Sequence, residues 1–521
     1  MNQSATTVSE LLAEQAEELG EEPFLYFEDR VLSYADLNRE VNKAANGLAA
    51  LGVKEGVGVS IMMPNSPEWL FVYFATQKLC AYAVPVNVGL KGDGLRHVID
   101  HSDSSVLLCD PSYSETIQAI RGELPKVKEI VVDTTYAPDG FEVPDQWKTL
   151  AEVMDAPDVD PEVEINQDAM SSLLYTSGTT GLPKGVVNRY SNTNLMGIRM
   201  LGSMLQPDDI LYTCLPLFHA NALFLTTLRA LVIGRPMALS RRFSASRFWD
   251  EIRKYGATTF NALGAMIPIL MKQPERSDDK DNPVRVVFSA ACPASVWAEF
   301  EERFAVRIVE GYAAVDGGGY SVINMGNAPK GSIGKPMNPF KVATDDGDDA
   351  APGEPGELLF KVDDAKLRKV EYYKNEEASN DKIKDGWFYT GDLVKTDEDG
   401  NLYFVDRKTD SLRRRGENIS SWEVEREINK HPDVLESAVF GVPSELGEAD
   451  VMAVVVPQEG ATIDPEELAS FCEEHMAAFM VPRYISVRHE IPKTETHRVQ
   501  KGVLKREGVT SDTWDREAVK T

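Results

Sequence analysis

The chain has 521 residues, and 54 Lys and Arg against 83 Asp and Glu residues give it a net charge of −29. A hydrophobic fraction of 43% and a charged fraction of 26% are typical of a globular protein, which excludes a disordered or collagen-like chain. A surface this acidic repels phosphate backbones and anionic lipids, so nucleic-acid and membrane-surface binding are disfavoured. A length of about 150 residues per domain predicts roughly three to four structural units.

The cysteines and the N-terminus predict a cytoplasmic protein. The five cysteines are widely spaced and include no CxxC pair, so we expect reduced thiols and no zinc site. No basic residue precedes Arg30, which argues against a signal peptide, and no uncharged apolar run is long enough to span a membrane.

Short apolar runs alternate with helical patterns over the first three hundred or so residues. Ser66 followed by Pro67 is typical of a helix start, with Ser as the cap, and Gly256 is typical of a helix end. Such alternation predicts a largely parallel sheet covered by helices. The predicted strands are Val57–Met63, Tyr82–Val86, Ser104–Leu108, Glu129–Val132, Ala257–Leu263, Arg285–Ser289 and Val306–Val309, and the predicted helices include Trp69–Leu79 and Ser246–Tyr255.

Clusters of Asp, Gly and Pro begin near Asp345, and the charged passage Asp406–Arg415 follows two short predicted strands. Beyond it we predict a compact segment with helices at Trp422–Asn429 and Pro465–His475, and strands at Leu435–Val442 and Ile485–Glu490. The chain is therefore predicted to form a large body, residues 1–405, and a small second domain, residues 406–521, joined at a charged hinge that is not packed.

The segment Tyr175–Val187 carries the clearest chemical signal. Within Thr176–Gly185 lie four hydroxyl residues, three glycines and one lysine. Glycines allow successive N–H groups to point at an anion, and hydroxyls and Lys184 add donors and charge. The pattern predicts a site for the phosphates of a nucleotide, with a polar surface turn as the alternative. It is not a Walker loop, because Lys184 follows Pro183.

This loop and a series of further blocks resemble the adenylate-forming enzymes, which are acyl-CoA synthetases, luciferases and the adenylation domains of peptide synthetases. The segments Arg413–Ser421 and Phe479–Tyr484 are most similar to carnitine/crotonobetaine-type CoA ligases. The other matching blocks are Leu32–Asn38, Pro85–Asn87, Gly331–Pro336, Gly356–Leu358, Trp387–Asp392, Asp406–Asp410, Arg415–Ser420, Val481–Arg483 and Pro492–Thr494.

The resemblance implies an α/β fold, with a large N-terminal body of helix-covered mixed sheets and a small mobile C-terminal α+β domain. It implies an AMP-forming acid–thiol ligase that uses ATP, Mg²⁺ and coenzyme A. A carboxylate does not react with a thiol at neutral pH, because its leaving group would be oxide. Attack on the α-phosphorus of ATP gives an acyl adenylate and pyrophosphate, and AMP is then a competent leaving group for the thiol of CoA.

The resemblance also assigns candidate residues to each part of the reaction. The catalytic candidates are Lys184, Arg498, Lys501 and His219, the last as a gate to the acyl pocket or merely a packed side chain. The ATP-binding candidates are Thr176, Ser177, Gly178, Thr179, Thr180, Lys184, Ala290, Ala291, Glu310, Gly311, Tyr312, Ala313, Asp392 and Arg407, of which Tyr312 is alternatively a core residue and Asp392 a turn residue. The acyl-pocket candidates are His219, Asn221, Asn261, Met266, Ser289 and Ala314. Arg413, Arg415 and Gly416 would meet CoA, unless the arginines form a solvated face; Asp406 would be the hinge and Asp316 the metal ligand.

Two positions depart from the pattern of the family. The usual Tyr-Gly-x-Thr-Glu ends here in Val315 and Asp316, so a hydroxyl is lost and the magnesium-side carboxylate is one methylene shorter. The usual adenylation lysine aligns with Arg498, and Lys501 is the substitute candidate unless it is a solvated surface residue.

Two other functions remain open at this point: an adenylation enzyme that loads a carrier protein, and a non-catalytic adenylate binder. The partners expected are a small carboxylic acid and CoA, with a homodimer as a possible assembly. The polar pocket candidates disfavour a plain long-chain fatty acid, whereas carnitine-like, aromatic and alicyclic acids stay open.

Overall fold

The computed structural model describes residues 6–176, 183–192, 198, 202, 204–263, 266–344, 346–362, 370–408, 412–414, 417–444, 449–476, 478, 480–494 and 499–518. The chain divides into two compact units, one of Met1–Ser321 with Ala365–Asp381 and one of Val322–Asp364 with Lys382–Thr521. The predicted division into a body, residues 1–405, and a small domain, residues 406–521, stays a prediction.

The first unit contains two sheets, each with helices packed against it. Its strands are β1 (Pro23–Phe27), β2 (Arg30–Ser33), β3 (Gly58–Met62), β4 (Tyr82–Pro85), β5 (Ser104–Cys109), β6 (Glu129–Val132), β7 (Lys148–Thr149), β8 (Met170–Thr176), β9 (Lys184–Arg189), β10 (Leu211–Thr213), β11 (Met237–Leu239), β12 (Thr259–Leu263), β13 (Val286–Ala290) and β14 (Arg307–Ala313). Its described helices are Val8–Leu19, Tyr34–Ala50, Pro67–Lys78, Gly92–His101, Ser114–Ile120, Leu150–Met154, the π-helix Asn221–Leu228, Arg229–Ile233, Phe248–Tyr255, Met266–Met271, Ala294–Phe304 and Glu376–Asp381.

One sheet has the order β7-β6-β5-β3-β4-β8-β9, and the other runs β14-β13-β12-β10-β11-β1-β2 within this unit. Neighbouring strands are parallel except for the pairs β8/β9 and β1/β2. The predicted parallel, helix-covered architecture is therefore found, and the one antiparallel pair at the edge of the first sheet carries the glycine-rich segment.

Local sequence signals explain several element boundaries. The Ser66 side chain accepts a hydrogen bond of 3.1 Å from the backbone N–H of Trp69, and Pro67 occupies the first turn of the helix Pro67–Lys78. The helix starts at this predicted cap, two residues before Trp69, and shows no polar stripe because every one of its residues is buried. Gly256 ends the helix Phe248–Tyr255 with a φ of 62°, as predicted.

The remaining strands follow β14. They are β15 (Ser321–Asn324), β16 (Phe340–Ala343), β17 (Gly356–Lys361), β18 (Ile383–Lys384), β19 (Trp387–Thr396), β20 (Leu402–Arg407), β21 (Leu412–Arg414), β22 (Glu417–Ile419), β23 (Val434–Pro443), β24 (Ala449–Pro457), β25 (Tyr484–Val487) and β26 (Trp514–Asp515). The helices described in the second unit are Ser421–Ile428, Pro465–His475 and Lys501–Glu507. Its sheets are β16-β17-β19-β18 with β20 beside β19, the pair β21-β22, and β23-β24-β25-β26.

The helix Pro465–His475 has its predicted bounds, and the predicted strand Leu435–Val442 lies inside β23. The mixed α/β fold with a large body and a smaller C-terminal sheet domain is confirmed. In the described part of the chain, no helix is long and apolar enough to cross a membrane.

Candidate active site

The phosphate-loop candidate is carried between β8 and β9, which form an antiparallel pair. Thr176 at the end of β8 lies opposite Lys184 at the start of β9, and its hydroxyl donates to the Lys184 carbonyl at 3.4 Å. A Cβ on Gly185 would lie 3.1 Å from the Tyr175 ring, so a larger residue would crowd this ring. Ser177, Gly178, Thr179 and Thr180 lie outside the described residues. The structure thus fixes the two ends of the loop.

Lys184 and Asp316 are brought together by Tyr372, which the sequence reasoning missed. The Nζ of Lys184 lies 5.3 Å from the centroid of the Tyr372 ring, and the Tyr372 hydroxyl donates to the Asp316 carboxylate. The ring is held in place because its segment pairs with β9: Val187 N donates to the carbonyl of residue 371, and the N–H of residue 373 donates to Gly185, both at 2.8 Å. Tyr372 is only 6% exposed. The available signal was the Tyr372-Tyr373 doublet within a charged stretch.

Asp316 fits the role of a magnesium ligand in its chemistry, since its carboxylate is a hard oxygen donor. The described residues contain no group of three potential metal ligands. Mg²⁺ is usually bound by one or two carboxylates together with substrate phosphates and water. Asp316 would hold the ion and Tyr372 would orient Asp316; the ion would offset the negative charge of the phosphates.

The candidate adenine turn, Ala290 to Cys292, follows β13 in an unusual backbone conformation. Ala291 has a φ of 71°, in the left-handed region that residues other than glycine seldom adopt. The buried Glu310 on β14 stabilises it, because its Oε1 accepts from the backbone N–H groups of Ala291 and Cys292. Burial raises the pKa of Glu310 to about 7, although the N–H donors oppose this.

The rest of β14 continues toward the predicted adenine contacts. Gly311 and Tyr312 are half-buried and Ala313 is exposed. The Tyr312 ring is therefore not enclosed in the core, as the alternative interpretation would require, and its stacking role stays a prediction.

The acyl-pocket candidates do not form a single cluster. The Asn261 side-chain amide donates to Asn221 Oδ1 at 2.8 Å and to Thr226 Oγ1 at 3.0 Å, which joins β12 to the π-helix. Asn261 pairs with Phe288 across β12 and β13, so these two side chains share one face of the sheet. Ser289, the next residue on β13, is on the opposite face; the structure does not bring it to the asparagines.

The other three acyl candidates occupy separate elements. His219 lies in the turn before the π-helix; its N–H donates to the Pro216 carbonyl at 3.0 Å, and its ring lies 4.6 Å from that of Phe218. Met266 is buried at the start of its helix, and Ala314 follows β14. π-Helices are rare and occur frequently at functional sites, so the π-helix itself marks this region.

In the second unit, the ribose candidates Asp392 and Arg407 lie opposite one another across β19 and β20. Arg407 Nε is 3.7 Å from Asp392 Oδ1, and Asp392 is 7% exposed. Gly391 has a φ of 80° and donates its N–H to Glu357 at 3.1 Å. Glycine at this position turns the backbone so that the Thr-Gly-Asp segment presents the carboxylate beside Arg407.

The hinge candidate is packed, so the expectation of a non-packed residue at Asp406 is wrong. Asp406 is 5% exposed, and its Oδ2 accepts from the Ser421 N–H at 3.0 Å and the Ser421 hydroxyl at 2.6 Å. Lys501 donates to the same hydroxyl and forms a 2.8 Å ion pair with Glu425. The Lys501 side chain is 15% exposed, so its interpretation as a solvated surface residue is also wrong.

The remaining candidates are less completely described. Arg413 lies on β21 opposite Asn418 of β22. Arg415, Gly416 and Arg498 lie outside the described residues, so the CoA loop and the aligned adenylation position stay predictions.

Comparison with known proteins identifies the family. Residues 12–364 match the AMP-binding enzyme family, and residues 423–498 match the AMP-binding enzyme C-terminal domain. The chain belongs to the AMP-binding enzyme family. Crotonobetaine/carnitine–CoA ligases are among the relatives of this AMP-binding enzyme. That of Salmonella paratyphi A is 32% identical over 511 residues, covering 94% of this chain and 97% of the relative. That of Salmonella typhimurium is 31% identical over 506 residues, covering 93% and 96%.

Solved structures of other AMP-binding enzymes share the fold. The anthranilate CoA ligase AuaEII in complex with anthranoyl-AMP has a TM-score of 0.84 and 25% identity, covering 96% of this chain and 97% of that chain. The o-succinylbenzoate CoA synthetase MenE of Bacillus subtilis in complex with OSB-AMP has a TM-score of 0.79 and 26% identity, covering 95% and 97%. The same synthetase with ATP and a magnesium ion has a TM-score of 0.79 and 25% identity, covering 95% and 98%.

This AMP-binding enzyme is an ATP-dependent carboxylate–CoA ligase that works through an acyl adenylate. ATP and CoA are its substrates, with magnesium as the metal of the ATP-bound relative. The predicted family, fold and reaction class are confirmed.

Proposed function

We propose that the residues located above divide the ligase reaction as follows. Thr176 and Lys184 bind the phosphates of ATP, together with the loop between them, and Asp316 binds magnesium. The turn held by Glu310 forms a wall of the adenine pocket, and Asp392 binds the ribose with Arg407 beside it. The observation that carries this proposal is the contact of the Tyr372 ring with Lys184 while its hydroxyl holds Asp316. A cation over the ring and a carboxylate held by its hydroxyl suit the screening of charge between an acid and a triphosphate.

The adenylation cation is assigned to Arg498 rather than Lys501. Lys501 is paired with Glu425 and bonded to Ser421, so releasing it would leave the half-buried Glu425 carboxylate without its cation. Arginine at the aligned position keeps the charge and can contact carboxylate and phosphate together. Lys501 then has a bracing role beside the hinge.

The division into a body, residues 1–405, and a mobile domain, residues 406–521, is part of the proposal. In it Asp406 is the hinge, and the loop at Arg413, Arg415 and Gly416 meets CoA after adenylation. Two half-reactions that need different groups at one place require such a motion. A cytoplasmic location and a homodimer complete the proposal. The five buried, unpaired cysteines support the former, and light scattering tests the latter.

The acid is proposed to be small and to carry a polar group. The bonded pair Asn221 and Asn261, with Thr226, supports this because buried amides select partners that complete their hydrogen bonds. The named acids of the relatives, crotonobetaine, carnitine, anthranilate and o-succinylbenzoate, are the first panel to test.

The deciding experiment separates the two half-reactions. The purified enzyme should exchange labelled pyrophosphate into ATP only when an acid is present, and free CoA should then release AMP and acyl-CoA. Lys184→Ala should abolish exchange. Exchange without CoA-dependent AMP release, but with transfer to a phosphopantetheinyl carrier protein, would show the carrier-loading alternative. Bound nucleotide without exchange for any acid would show a non-catalytic adenylate binder.

A further inference from the structure

A buried arginine lies beside the polar end of the candidate acyl pocket. Arg229 follows the π-helix directly and is 3% exposed. Its guanidinium carbon is 4.2 Å from the centroid of the Phe288 ring. Phe288 is the register partner of Asn261, which donates to Asn221 on the π-helix. The guanidinium and the asparagine pair therefore lie against the same face of the sheet.

This arginine lacks the polar partners that buried charges normally have. Within the described part of the chain, no hydrogen bond or ion pair involves its guanidinium, and the Nε is both buried and unbonded. The Asp209 carboxylate opposes the effect of burial on the pKa of Arg229, but its hydrogen bonds go to Thr258 and Arg285. Burial lowers the pKa of Arg229 to about 10, so the side chain is still a cation at neutral pH.

The Phe288 ring offsets part of the cost of burying this cation, since an aromatic face attracts a guanidinium. The ring does not take up the N–H groups of the guanidinium in hydrogen bonds. These groups form a planar fork that fits a carboxylate in two parallel bonds. A buried guanidinium whose Nε has no acceptor is costly to keep for stability alone. Such a group is suited to a ligand that supplies the missing acceptor.

We propose that the acyl pocket ends at Arg229 and selects acids whose far end is anionic, such as a second carboxylate, while rejecting acids with a cationic tail. The inference rests on the proposed acyl pocket around Asn221 and Asn261. It separates this chain from the crotonobetaine/carnitine–CoA ligases to which it is 32% identical, whose named acids carry a trimethylammonium group. Like charges in a site of low dielectric repel strongly, whereas opposite charges attract.

Matched acids isolate the charge of the tail. The acid 4-(trimethylammonio)butanoate differs from 5,5-dimethylhexanoate only by nitrogen for carbon, and adipate differs from its monoamide only by a carboxylate for an amide. In acid-dependent pyrophosphate exchange, we expect kcat/KM to be at least about tenfold lower for the cationic acid than for its isostere. For adipate we expect it to be at least about tenfold higher than for the monoamide.

The variant Arg229→Met removes the charge and keeps the length of the side chain. In this variant the kcat/KM values of the two acids in each pair should differ by less than about threefold. Arg229→Lys should keep the same preferred acid in each pair. The inference is overturned if the full-length wild type uses the trimethylammonium acid as well as its isostere, or if Arg229→Met leaves both ratios unchanged.

A stability comparison tests the missing partner without any acid. Arg303, also in the first unit, donates to Asp279 at 2.7 Å and to the Met271 carbonyl at 2.8 Å. Arg303→Met should therefore lower the melting temperature strongly, whereas Arg229→Met should leave it unchanged or raise it. An equal loss in both variants would show a structural role for Arg229 and overturn the inference. If no acid supports pyrophosphate exchange, the proposed function is contradicted instead. The comparison of melting temperatures then still decides whether Arg229 has a structural role.

Discussion

Replacement of Glu310 by Gln tests the buried carboxylate that holds the adenine turn. In the wild type the Oε1 atom accepts from both Ala291 and Cys292, so the amide oxygen of Gln can keep both bonds. The substitution therefore removes the ionisation of the side chain while leaving the turn in place. Its effect on stability should depend on pH.

The sign and size follow from the pKa of Glu310, which burial raises from 4.5 to about 7. Well below pH 4.5 the Glu310 carboxyl is protonated in both the folded and the unfolded chain, so its ionisation does not affect the free energy of unfolding. As the pH rises, the unfolded chain ionises first, so stability is lost up to the folded pKa and stays lost above it. The gap between the two values corresponds to about 3 kcal/mol of unfolding free energy, or about 4 °C for a unit of roughly 340 residues.

Differential scanning calorimetry of both proteins between about pH 5 and about pH 8 covers most of this range. The melting temperature of the wild-type first unit should fall by about 3 °C relative to Glu310→Gln as the pH rises. Glu302→Gln, on the exposed side of the helix Ala294–Phe304, should follow the wild type at every pH. A constant difference between wild type and Glu310→Gln across the range would refute the assignment of a buried, late-ionising carboxyl.

The remaining predictions concern catalysis and the second unit. Tyr372→Phe should reduce about tenfold the gain in ATP affinity that magnesium gives in calorimetric titrations, whereas Tyr373→Phe should leave this gain unchanged. Equal effects of the two substitutions would contradict the role of Tyr372 in positioning Asp316. Lys184→Ala should slow adenylation by about 10² or more with little change in melting temperature, and retained exchange would exclude its phosphate role. Lys501→Met should cost about 3 kcal/mol in denaturant unfolding, whereas a solvated lysine would cost almost nothing. A bulky residue at Gly416 should spare pyrophosphate exchange and slow thioester formation; equal loss of both would contradict the two-step motion.

Contiguous signals in the sequence predicted the fold and several of its element boundaries. The strand Glu129–Val132 has its predicted bounds, because the apolar run Ile130–Val132 is buried in a parallel sheet. The helix at Ser66 begins where a capping hydroxyl and a proline act together. The loop between Thr176 and Lys184 is visible because its donors lie within one short segment.

Residues that act through distant contacts escaped the sequence reasoning. Tyr372 and Asp316 are 56 positions apart, and no periodic pattern links a tyrosine to a carboxylate at that separation. Arg229 lies in an apolar helical stretch where its burial depends on how the helix packs on β12 and β13. Ser289 was named with Asn261 as an acyl-pocket candidate, but the register of β12 and β13 puts the two side chains on opposite faces of the sheet.

The contacts of Lys501 also constrain how the proposed hinge can work. Asp406 is bonded to Ser421 at the start of one helix, and Lys501 at the start of another helix donates to the same hydroxyl. Breaking these buried, charge-assisted bonds during each turnover would cost more than breaking the backbone pairing of β20 around Asp406. The hinge carboxylate should therefore travel with the two helices as one piece, with the rotation taken up in the backbone on its N-terminal side. Lys501 is held inside that piece by its bonds to Ser421 and Glu425, so we propose that Arg498 is the cation that meets the substrate carboxylate.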